Sequence, residues 1–202
     1  MNTKEHWESI YQSKSDDRLS WTQLEPALSL KLITQVCNAG HIVDVGGGCS
    51  LLTERLIDRG YSVTVLDISQ AALDRARTHL GKRAHLVHWL VADITATPSI
   101  APCDVWHDRA VFHFLREEDD RRRYVKAIQG SVRPGGHVVL GTFGPEGPTQ
   151  CSGLDVVRYS PADLMAALGD AFQLVEALSE IHSTPSGAAQ QFTYCHCRLR
   201  AA

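Results

Sequence analysis

Short apolar segments alternate with amphipathic helical segments along the middle of the chain. Apolar runs predict five strands, at residues 41–45, 62–66, 85–91, 104–107 and 137–142. The segments between these runs carry the spacing of surface helices, and Ser69 is a predicted N-cap. Strands joined by helices in this order are typical of a parallel sheet that is covered on both faces. The pattern predicts a three-layer, doubly wound α/β fold.

The alternation of strands and helices stops after Phe143. A segment rich in Gly and Pro predicts a loop over residues 144–153, and Ser160-Pro161 predicts the start of a helix that ends near Gly169. Two further apolar runs, 172–178 and 191–199, are separated by a turn and predict an antiparallel pair. The whole pattern predicts a mostly parallel, seven-stranded sheet whose last strand is antiparallel.

Composition and charge narrow the range of partners. The 202 residues suit one domain, and a net charge of −3 argues against a nucleic-acid partner, which usually requires a basic face. No apolar run approaches the roughly 20 residues that a membrane span needs, and the N-terminal segment is polar. We therefore expect a cytoplasmic protein with no membrane partner, which acts as a monomer or a homodimer.

The six cysteines are expected to be reduced thiols, because they form no C-x-x-C pair. Cys195 and Cys197 would share one face of a strand while His196 points to the other face. That geometry disfavours a shared metal ion, and we predict no metal site.

Three consecutive glycines, Gly46 to Gly48, follow the first predicted strand. Glycine at this place lets a ligand approach the backbone closely, since no Cβ stands in the way. A dinucleotide requires the spacing G-x-G-x-x-G, and Leu51 occupies the position of the third glycine. Asp44 also places a negative charge where a pyrophosphate would lie. These features disfavour a dinucleotide site.

The segment from Asp44 to Ser50, Asp-Val-Gly-Gly-Gly-Cys-Ser, resembles motif I of the class I S-adenosylmethionine-dependent methyltransferases. That motif is an acidic residue followed by G-x-G-x-G, and Ser50 stands here at the third glycine. Residues 103–110 resemble the family's fourth strand and the loop after it, and residues 132–139 resemble its L-x-P-G-G-x-hydrophobic turn. The resemblance implies a Rossmann-like methyltransferase fold, S-adenosylmethionine as cofactor and S-adenosylhomocysteine as product.

The resemblance also implies which residues contact the cofactor. Asp67 would accept both ribose hydroxyls, Ile68 would pack on the adenine ring, and Asp93 with Ile94 would bind the adenine edge. The other implied contacts surround the methionine portion: Asp44, Gly46, Gly47, Gly48, Asp108 and Arg109. Trp21, which resembles an aromatic entry of small members of the family, would close over the cofactor.

The same reading divides the single domain, residues 1–202, into three parts. Residues 1–24 would form an N-terminal lid or cap segment, 25–143 the cofactor-binding core, and 144–202 a substrate loop, a helix and the closing strands. Trp7, Ile10 and Tyr11 have helical spacing and predict a short helix over residues 5–12. Its aromatic residues fit either a lid or plain packing on the core.

A catalytic base is needed only when the acceptor arrives protonated and weakly acidic. His113, which follows the fourth strand, is the predicted base, with a packed structural histidine as the alternative. Weaker candidates for the same role are His6, Tyr11, His107 and Tyr159. Cys151 in the predicted loop could contact a soft substrate, with an uninvolved thiol as the alternative.

The short additions to the core favour a small-molecule methyl acceptor. Because no base is obvious, we predict a soft nucleophile such as a thiol, a selenide or a metalloid. The alternatives are a protein-lysine methyltransferase, a catalytically silent cofactor-binding interaction module and a dinucleotide oxidoreductase.

Overall fold

The computed structural model describes residues 3–15, 18–96 and 98–201. Its helices are α1 Thr3–Ser13, α2 Ala27–Val36, α3 Leu52–Ile57, α4 Gln70–Leu80, α5 Glu118–Ser131 and α6 Pro161–Leu168. Its strands are β1 His41–Val45, β2 Ser62–Asp67, β3 Val87–Val91, β4 Cys103–Arg109, β5 Val132–Phe143, β6 Gln150–Cys151, β7 Leu154–Asp155, β8 Phe172–Ser183 and β9 Ala189–Leu199. Parts of the predicted lid segment, residues 1–2 and 16–17, lie outside the described residues.

Seven strands form one sheet in the order β3-β2-β1-β4-β5-β9-β8. The strands β1 to β5 run parallel, and β9 pairs antiparallel with both β5 and β8. The prediction of a mostly parallel seven-stranded sheet with an antiparallel last strand is confirmed. The segment predicted as a loop contains β6, the first strand of a small hairpin whose second strand, β7, follows directly after it.

Helices cover both faces of the sheet, so the fold has three layers. Alternate residues of β4 show this, because Val105 packs with α2, α3 and α4 on one face and Trp106 packs with α5 and α6 on the other. Ser69 accepts from the Ala72 backbone N–H at 3.1 Å and is the N-cap of α4, as its position predicted. No helix in the described ranges is long and apolar enough to cross a membrane.

Several strand boundaries differ from the prediction, among them the end of β8 and the starts of the third and fifth strands. The predicted start of the third strand at His85 is wrong, because a 3₁₀ helix over Gly81–Leu86 follows α4 and β3 begins at Val87. Leu86 is half exposed, so the apolar side chains near this end do not all face the core. The fifth strand begins earlier than expected, at Val132, with a bulge in its pairing to β4.

The last strand separates its cysteines from its histidine as the alternation predicted. Cys195 and Cys197 are buried in the apolar layer under α6, and the Cys197 Sγ lies 3.3 Å from the Met165 Sδ. His196 faces the other side of the sheet, where its Nε2 lies 2.9 Å from the His137 Nδ1.

Candidate functional site

A cavity of about 220 Å³ lies at the carboxyl ends of the parallel strands. Its walls include seven of the residues predicted from the sequence: Trp21, Gly46, Asp67, Ile68, Asp93, Ile94 and Arg109. A smaller cavity of about 50 Å³ shares Trp21, Gly46 and Arg109 with it and adds Asp44 and Gly47. The candidate site is thus a main cavity with a side cavity, at the strand ends where open α/β sheets hold ligands.

The three glycines after β1 are required by their close neighbours. A Cβ at Gly46 would lie 2.1 Å from the Val111 Cγ2, and a Cβ at Gly48 would lie 2.7 Å from the Tyr11 hydroxyl. Both residues also have positive φ, 67° and 38°. A Cβ at Gly47 would lie 2.6 Å from an Asp44 carboxylate oxygen. The glycine turn therefore packs tightly between β1, the loop after β4 and helix α1.

Asp67 ends β2 in the wall of the main cavity and is 5% exposed. Its Oδ1 accepts from the Ser69 backbone N–H at 2.9 Å. Burial, together with the nearby charge of Asp44, raises the pKa of Asp67 to about 7, although backbone N–H donors oppose the shift. The carboxyl group therefore changes its charge near neutral pH.

The adenine-side candidates follow β2 and β3. Asp93 is exposed, and its Oδ1 accepts from the backbone N–H and the hydroxyl of Thr95 at 2.8 and 2.7 Å. Ile94 is buried and Ile68 is partly buried. These residues give the cavity one apolar wall with a carboxylate at its rim.

Asp44 is held by a buried histidine on the neighbouring strand. The two residues are register partners in β1 and β4, and the Asp44 Oδ1 lies 2.7 Å from the His107 Nδ1. The other ring nitrogen, Nε2, lies 2.9 Å from the Ser29 hydroxyl of α2. The second carboxylate oxygen of Asp44 is buried and has no hydrogen-bond partner among the described residues.

Arg109 presents the opposite charge beside the same side cavity. Its Nε donates to the Tyr194 hydroxyl at 3.0 Å and its Nη1 donates to the Trp21 carbonyl at 2.9 Å. The guanidinium carbon lies 4.3 Å from the centre of the Phe192 ring. The Nη2 atom is buried without a partner among the described residues. An unpaired carboxylate oxygen and an unpaired guanidinium nitrogen fit a ligand that carries an ammonium and a carboxylate.

Asp108 lies outside the walls of both cavities and is fully buried. Its two oxygens accept from the backbone N–H groups of Val111 and Phe112, and Tyr124 donates its hydroxyl to Asp108 Oδ2. The sequence-based expectation that Asp108 contacts the cofactor is therefore not supported. Asp108 instead fixes the turn after β4, whose residue Val111 packs on Gly46.

His113 also lies outside the cavity walls, with no exposed surface. Its Nδ1 accepts from the Phe143 backbone N–H at 3.1 Å, and its ring packs between Phe114 and Phe143. Burial lowers its pKa to about 3, so the ring is neutral at pH 7 and Nε2 carries the proton. Neither nitrogen is free to accept another proton. The geometry contradicts the prediction of His113 as general base and supports a packed structural histidine.

Four aromatic side chains form part of the wall of the main cavity. Trp7 makes edge contacts with Trp21 and Phe114, at centroid distances of 5.6 and 5.0 Å, and Tyr11 makes an edge contact with Trp21. All four rings line the cavity. The first helix therefore combines both roles considered for it, because its aromatic residues pack together and also cover the cavity.

One carboxylate docks α1 on the rest of the domain. The Glu8 carboxylate accepts from the Ser69 hydroxyl at 2.8 Å and from the Ala71 backbone N–H at 3.2 Å. Both donors belong to the N-terminal end of α4, where a negative charge is favourable. This contact holds Trp7 and Tyr11 over the cavity.

The remaining candidates for a base divide by position. Tyr11 and Cys151 line the main cavity and His107 lines the side cavity, whereas His6 and Tyr159 lie outside both. Burial raises the pKa of the Cys151 thiol, which favours its protonated form.

Sequence reasoning missed four residues that shape the site: Glu8, Ser29, Phe114 and Tyr194. A serine on the apolar face of α2 was a detectable signal for Ser29, because a hydroxyl among leucines needs a partner. The pattern of the chain contains no comparable signal for the other three, whose roles depend on tertiary contacts.

Comparison with known proteins supports the interpretation of the core. The model of the methyltransferase domain family matches residues 43–140. Nodulation protein S of Rhizobium tropici is 30% identical over 102 residues, which are 50% of this chain and 42% of that protein. The chain spans about half the length of the curated relatives it matches.

Two solved structures share the fold over most of the chain. The N-methyltransferase NodS from Bradyrhizobium japonicum, in complex with S-adenosylhomocysteine, has a TM-score of 0.76 at 19% identity and covers 98% of this chain and 99% of its own. A second structure comes from work on the conversion of a disulfide bond into a thioacetal group during echinomycin biosynthesis. It has a TM-score of 0.82 at 18% identity and covers 98% of this chain and 92% of its own. At these identities the likeness concerns the fold.

Proposed function

We propose that the chain is a class I S-adenosylmethionine-dependent methyltransferase that methylates a small-molecule acceptor, a proposal supported by the methyltransferase-domain match over residues 43–140. The observation that carries the proposal is the pair of unpartnered buried groups, Asp44 Oδ2 and Arg109 Nη2, at the side cavity next to Asp67. A nucleoside that carries an α-amino acid has the polar groups that these three side chains lack.

In this proposal the cofactor lies along the ends of β1, β2 and β3. Asp67 accepts the ribose hydroxyls, Ile68 and Ile94 enclose the adenine ring, and Asp93 binds its amino group. Asp44 accepts from the ammonium and Arg109 donates to the carboxylate. The neutral backbone of the glycine turn, together with Asp44, suits a ligand without phosphate. Trp21 and α1 close over the bound cofactor.

S-adenosylmethionine supplies a methyl group that its sulfonium already activates. The protein therefore contributes mainly alignment, by holding the acceptor in line with the methyl group and by excluding water. The aromatic rings of Trp7, Trp21 and Phe114 form the wall that the acceptor would meet. This wall is apolar, and an apolar wall suits a small acceptor better than a charged wall would.

We propose further that the acceptor is a soft nucleophile, such as a thiol, a selenide or a metalloid. The geometry of His113 supports this, because the predicted base cannot take a proton. A soft nucleophile needs little help from a base. The fold neighbour described for disulfide-to-thioacetal conversion is consistent with chemistry at sulfur, whereas NodS is an N-methyltransferase, so an amine acceptor is the second candidate.

The cofactor is tested by thermal shift with S-adenosylhomocysteine and with NAD. At a ligand concentration of about 1,000 times Kd, S-adenosylhomocysteine should stabilise the folded state by about 4 kcal/mol, and NAD should not. Asp67→Ala should weaken S-adenosylhomocysteine binding by roughly 2 to 4 kcal/mol, because the ribose loses its acceptors. Stabilisation by NAD alone would favour a dinucleotide oxidoreductase, and normal binding by Asp67→Ala would refute the ribose position.

The acceptor class is tested by supplying labelled S-adenosylmethionine and the purified protein to a cell lysate. Label in the dialysable fraction supports a small-molecule acceptor, and label on lysine side chains of proteins supports the lysine methyltransferase alternative. Cofactor binding without any transfer, together with a stoichiometric protein complex, would support the silent interaction module.

A further inference from the structure

Asp44 and Arg109 are the two ends of one continuous buried hydrogen-bond chain. From the Arg109 Nε the chain runs to the Tyr194 hydroxyl at 3.0 Å, and from there to the Ser29 hydroxyl at 3.5 Å. It continues from Ser29 to the His107 Nε2 at 2.9 Å and from the His107 Nδ1 to the Asp44 Oδ1 at 2.7 Å. These hydrogen bonds connect strands β4 and β9 to strand β1 by way of helix α2.

With a neutral His107 ring, every link in this chain has the same direction. A carboxylate oxygen only accepts, so the His107 Nδ1 donates and, in a neutral ring, Nε2 accepts the Ser29 proton. Ser29 then accepts from the Tyr194 hydroxyl, whose oxygen accepts from the guanidinium. Burial raises the pKa of Tyr194, so its hydroxyl keeps the proton that it donates. Hydrogen bonds that share one direction polarise one another and favour a single arrangement.

The backbone makes room for this chain at one position. A Cβ on Gly141 of β5 would lie 2.9 Å from the Tyr194 ring, which lies across that glycine. Gly141 is the register partner of both Arg109 and Tyr194. Tyr194 therefore crosses a strand without a side chain and reaches Arg109.

Both ends of the chain keep one atom unpaired, Asp44 Oδ2 and Arg109 Nη2, and both residues line the side cavity. We propose that His107 and Tyr194 are positioning residues, which hold the Asp44 carboxylate and the Arg109 guanidinium apart at the spacing that an α-amino acid group requires. This inference rests on the proposed function, because it concerns the methionine end of the cofactor. Tyr194 lines neither cavity, and His107 borders the side cavity with both ring nitrogens engaged by Asp44 and Ser29, so each acts through the charged group that it holds.

Ser29, His107 and Asp44 also have the order of a hydrolytic Ser-His-Asp triad. Ser29 is 1% exposed and lies inside α2, where its oxygen is already engaged with Tyr194. A nucleophile needs access to its substrate, so the geometry favours positioning. Covalent labelling of Ser29 by a fluorophosphonate would overturn the positioning role.

The test compares two ligands that share the adenosyl group. S-adenosylhomocysteine carries the amino-acid end, and 5′-methylthioadenosine lacks it. His107→Leu should weaken S-adenosylhomocysteine binding about tenfold or more, because Asp44 loses its donor, and should change 5′-methylthioadenosine binding less than about twofold. His107→Asn, which restores an N–H close to the position of Nδ1, should recover most of the loss.

Tyr194→Phe provides a second, nearly isosteric variant in case His107→Leu does not fold. It removes the hydroxyl that holds Arg109, and it should weaken S-adenosylhomocysteine binding selectively as well. Tyr61→Phe is the matched control, since the Tyr61 hydroxyl donates to the Cys37 carbonyl away from both cavities and its loss should affect neither ligand.

Calorimetry at fixed pH gives both affinities for each variant. Equal losses for the two ligands, or no loss for either, would refute the positioning role while the wild-type protein still binds S-adenosylhomocysteine. A wild-type protein that binds neither ligand would instead refute the proposed function.

Discussion

Asp67 and Asp108 are both buried carboxylates at strand ends, yet they face different partners. Asp67 lines the cavity, whereas Asp108 binds the backbone of the turn that follows it. The sequence places both at the carboxyl edge of the sheet, where a ligand would bind. Which way a side chain points depends on neighbours such as Tyr124, which come from another part of the chain. Residue roles were therefore harder to predict than residue positions.

Binding of S-adenosylhomocysteine should depend on the ionisation of Asp67. Its pKa of about 7 means that the carboxyl group is largely neutral at pH 6 and largely charged at pH 8. In the proposed complex the charged form would accept two hydrogen bonds from the ribose, so affinity should rise with pH across this range. Asp67→Asn should bind weakly with little pH dependence over the same range. Calorimetry at pH 6, 7 and 8 checks this, and a wild-type affinity that does not change would contradict it.

His113 should make the folded state sensitive to acid. Its pKa is about 3 in the folded protein and near 6.5 when exposed, so below pH 6.5 the unfolded chain binds a proton that the folded protein does not. Stability should then fall as pH decreases, by up to about 1.4 kcal/mol per pH unit. In His113→Gln, the slope of the unfolding free energy against pH should decrease by the contribution of one proton. Methyl transfer should be retained. Urea unfolding at pH 7, 6 and 5 gives the slopes.

The matched control for that series is His88→Gln, because His88 is exposed. An unchanged pH slope in His113→Gln would show that the histidine is not buried as described. Loss of methyl transfer in a folded His113→Gln protein would show that His113 acts as the general base, contrary to the geometry.

At the scale of elements, α1 acts as a cover whose docking depends on few contacts. Its 11 residues are too few for a stable isolated helix, so its position depends on Glu8 and the aromatic cluster. The sequence predicted the helix from the spacing of Trp7, Ile10 and Tyr11. It did not indicate Glu8 as the docking residue, because Ser69 and Ala71 lie about 60 positions away.

Glu8→Ala should loosen this cover. Removal of the carboxylate leaves the Ser69 hydroxyl and the Ala71 N–H without their acceptor, and S-adenosylhomocysteine should dissociate roughly three- to tenfold faster. Stopped-flow tryptophan fluorescence follows the release, since Trp7 and Trp21 line the cavity. Glu5→Ala, on the exposed side of the same helix, should leave the rate unchanged. Equal rates for wild type and Glu8→Ala would show that α1 does not limit release.

Strand and helix positions were predictable where local pattern and tertiary structure agree. Strands β1 and β2 and the start of helix α4 match the prediction closely, because buried parallel strands are continuously apolar and Ser69 marks the helix start. The prediction failed at His85 and Leu86, where an apolar residue follows a histidine but the chain forms a 3₁₀ helix instead. Leu86 is half exposed there, which a sequence pattern does not reveal.

At the scale of the whole molecule, strand order explains the place of the site. The chain passes from β1 to β2 and β3 on one side, and then returns to β4 on the other side of β1. The loops after β1 and β4 consequently diverge and leave a crevice at their carboxyl ends. Asp44, the glycine turn and Arg109 border this crevice. The sequence predicted the strands and their ends, but the links through Ser29 and Tyr194 form only when α2 and β9 pack together.

Methyl transfer from labelled S-adenosylmethionine to a defined panel of small thiols, selenols, amines and hydroxyl compounds tests the central claim most directly. We predict labelled product from the thiols or selenols with the wild-type protein, and strongly reduced product with folded Asp67→Ala. The amine acceptor is the second candidate. Transfer confined to the hydroxyl compounds or to the amines would contradict the soft-acceptor proposal, and no transfer to any acceptor would contradict the proposed enzyme activity.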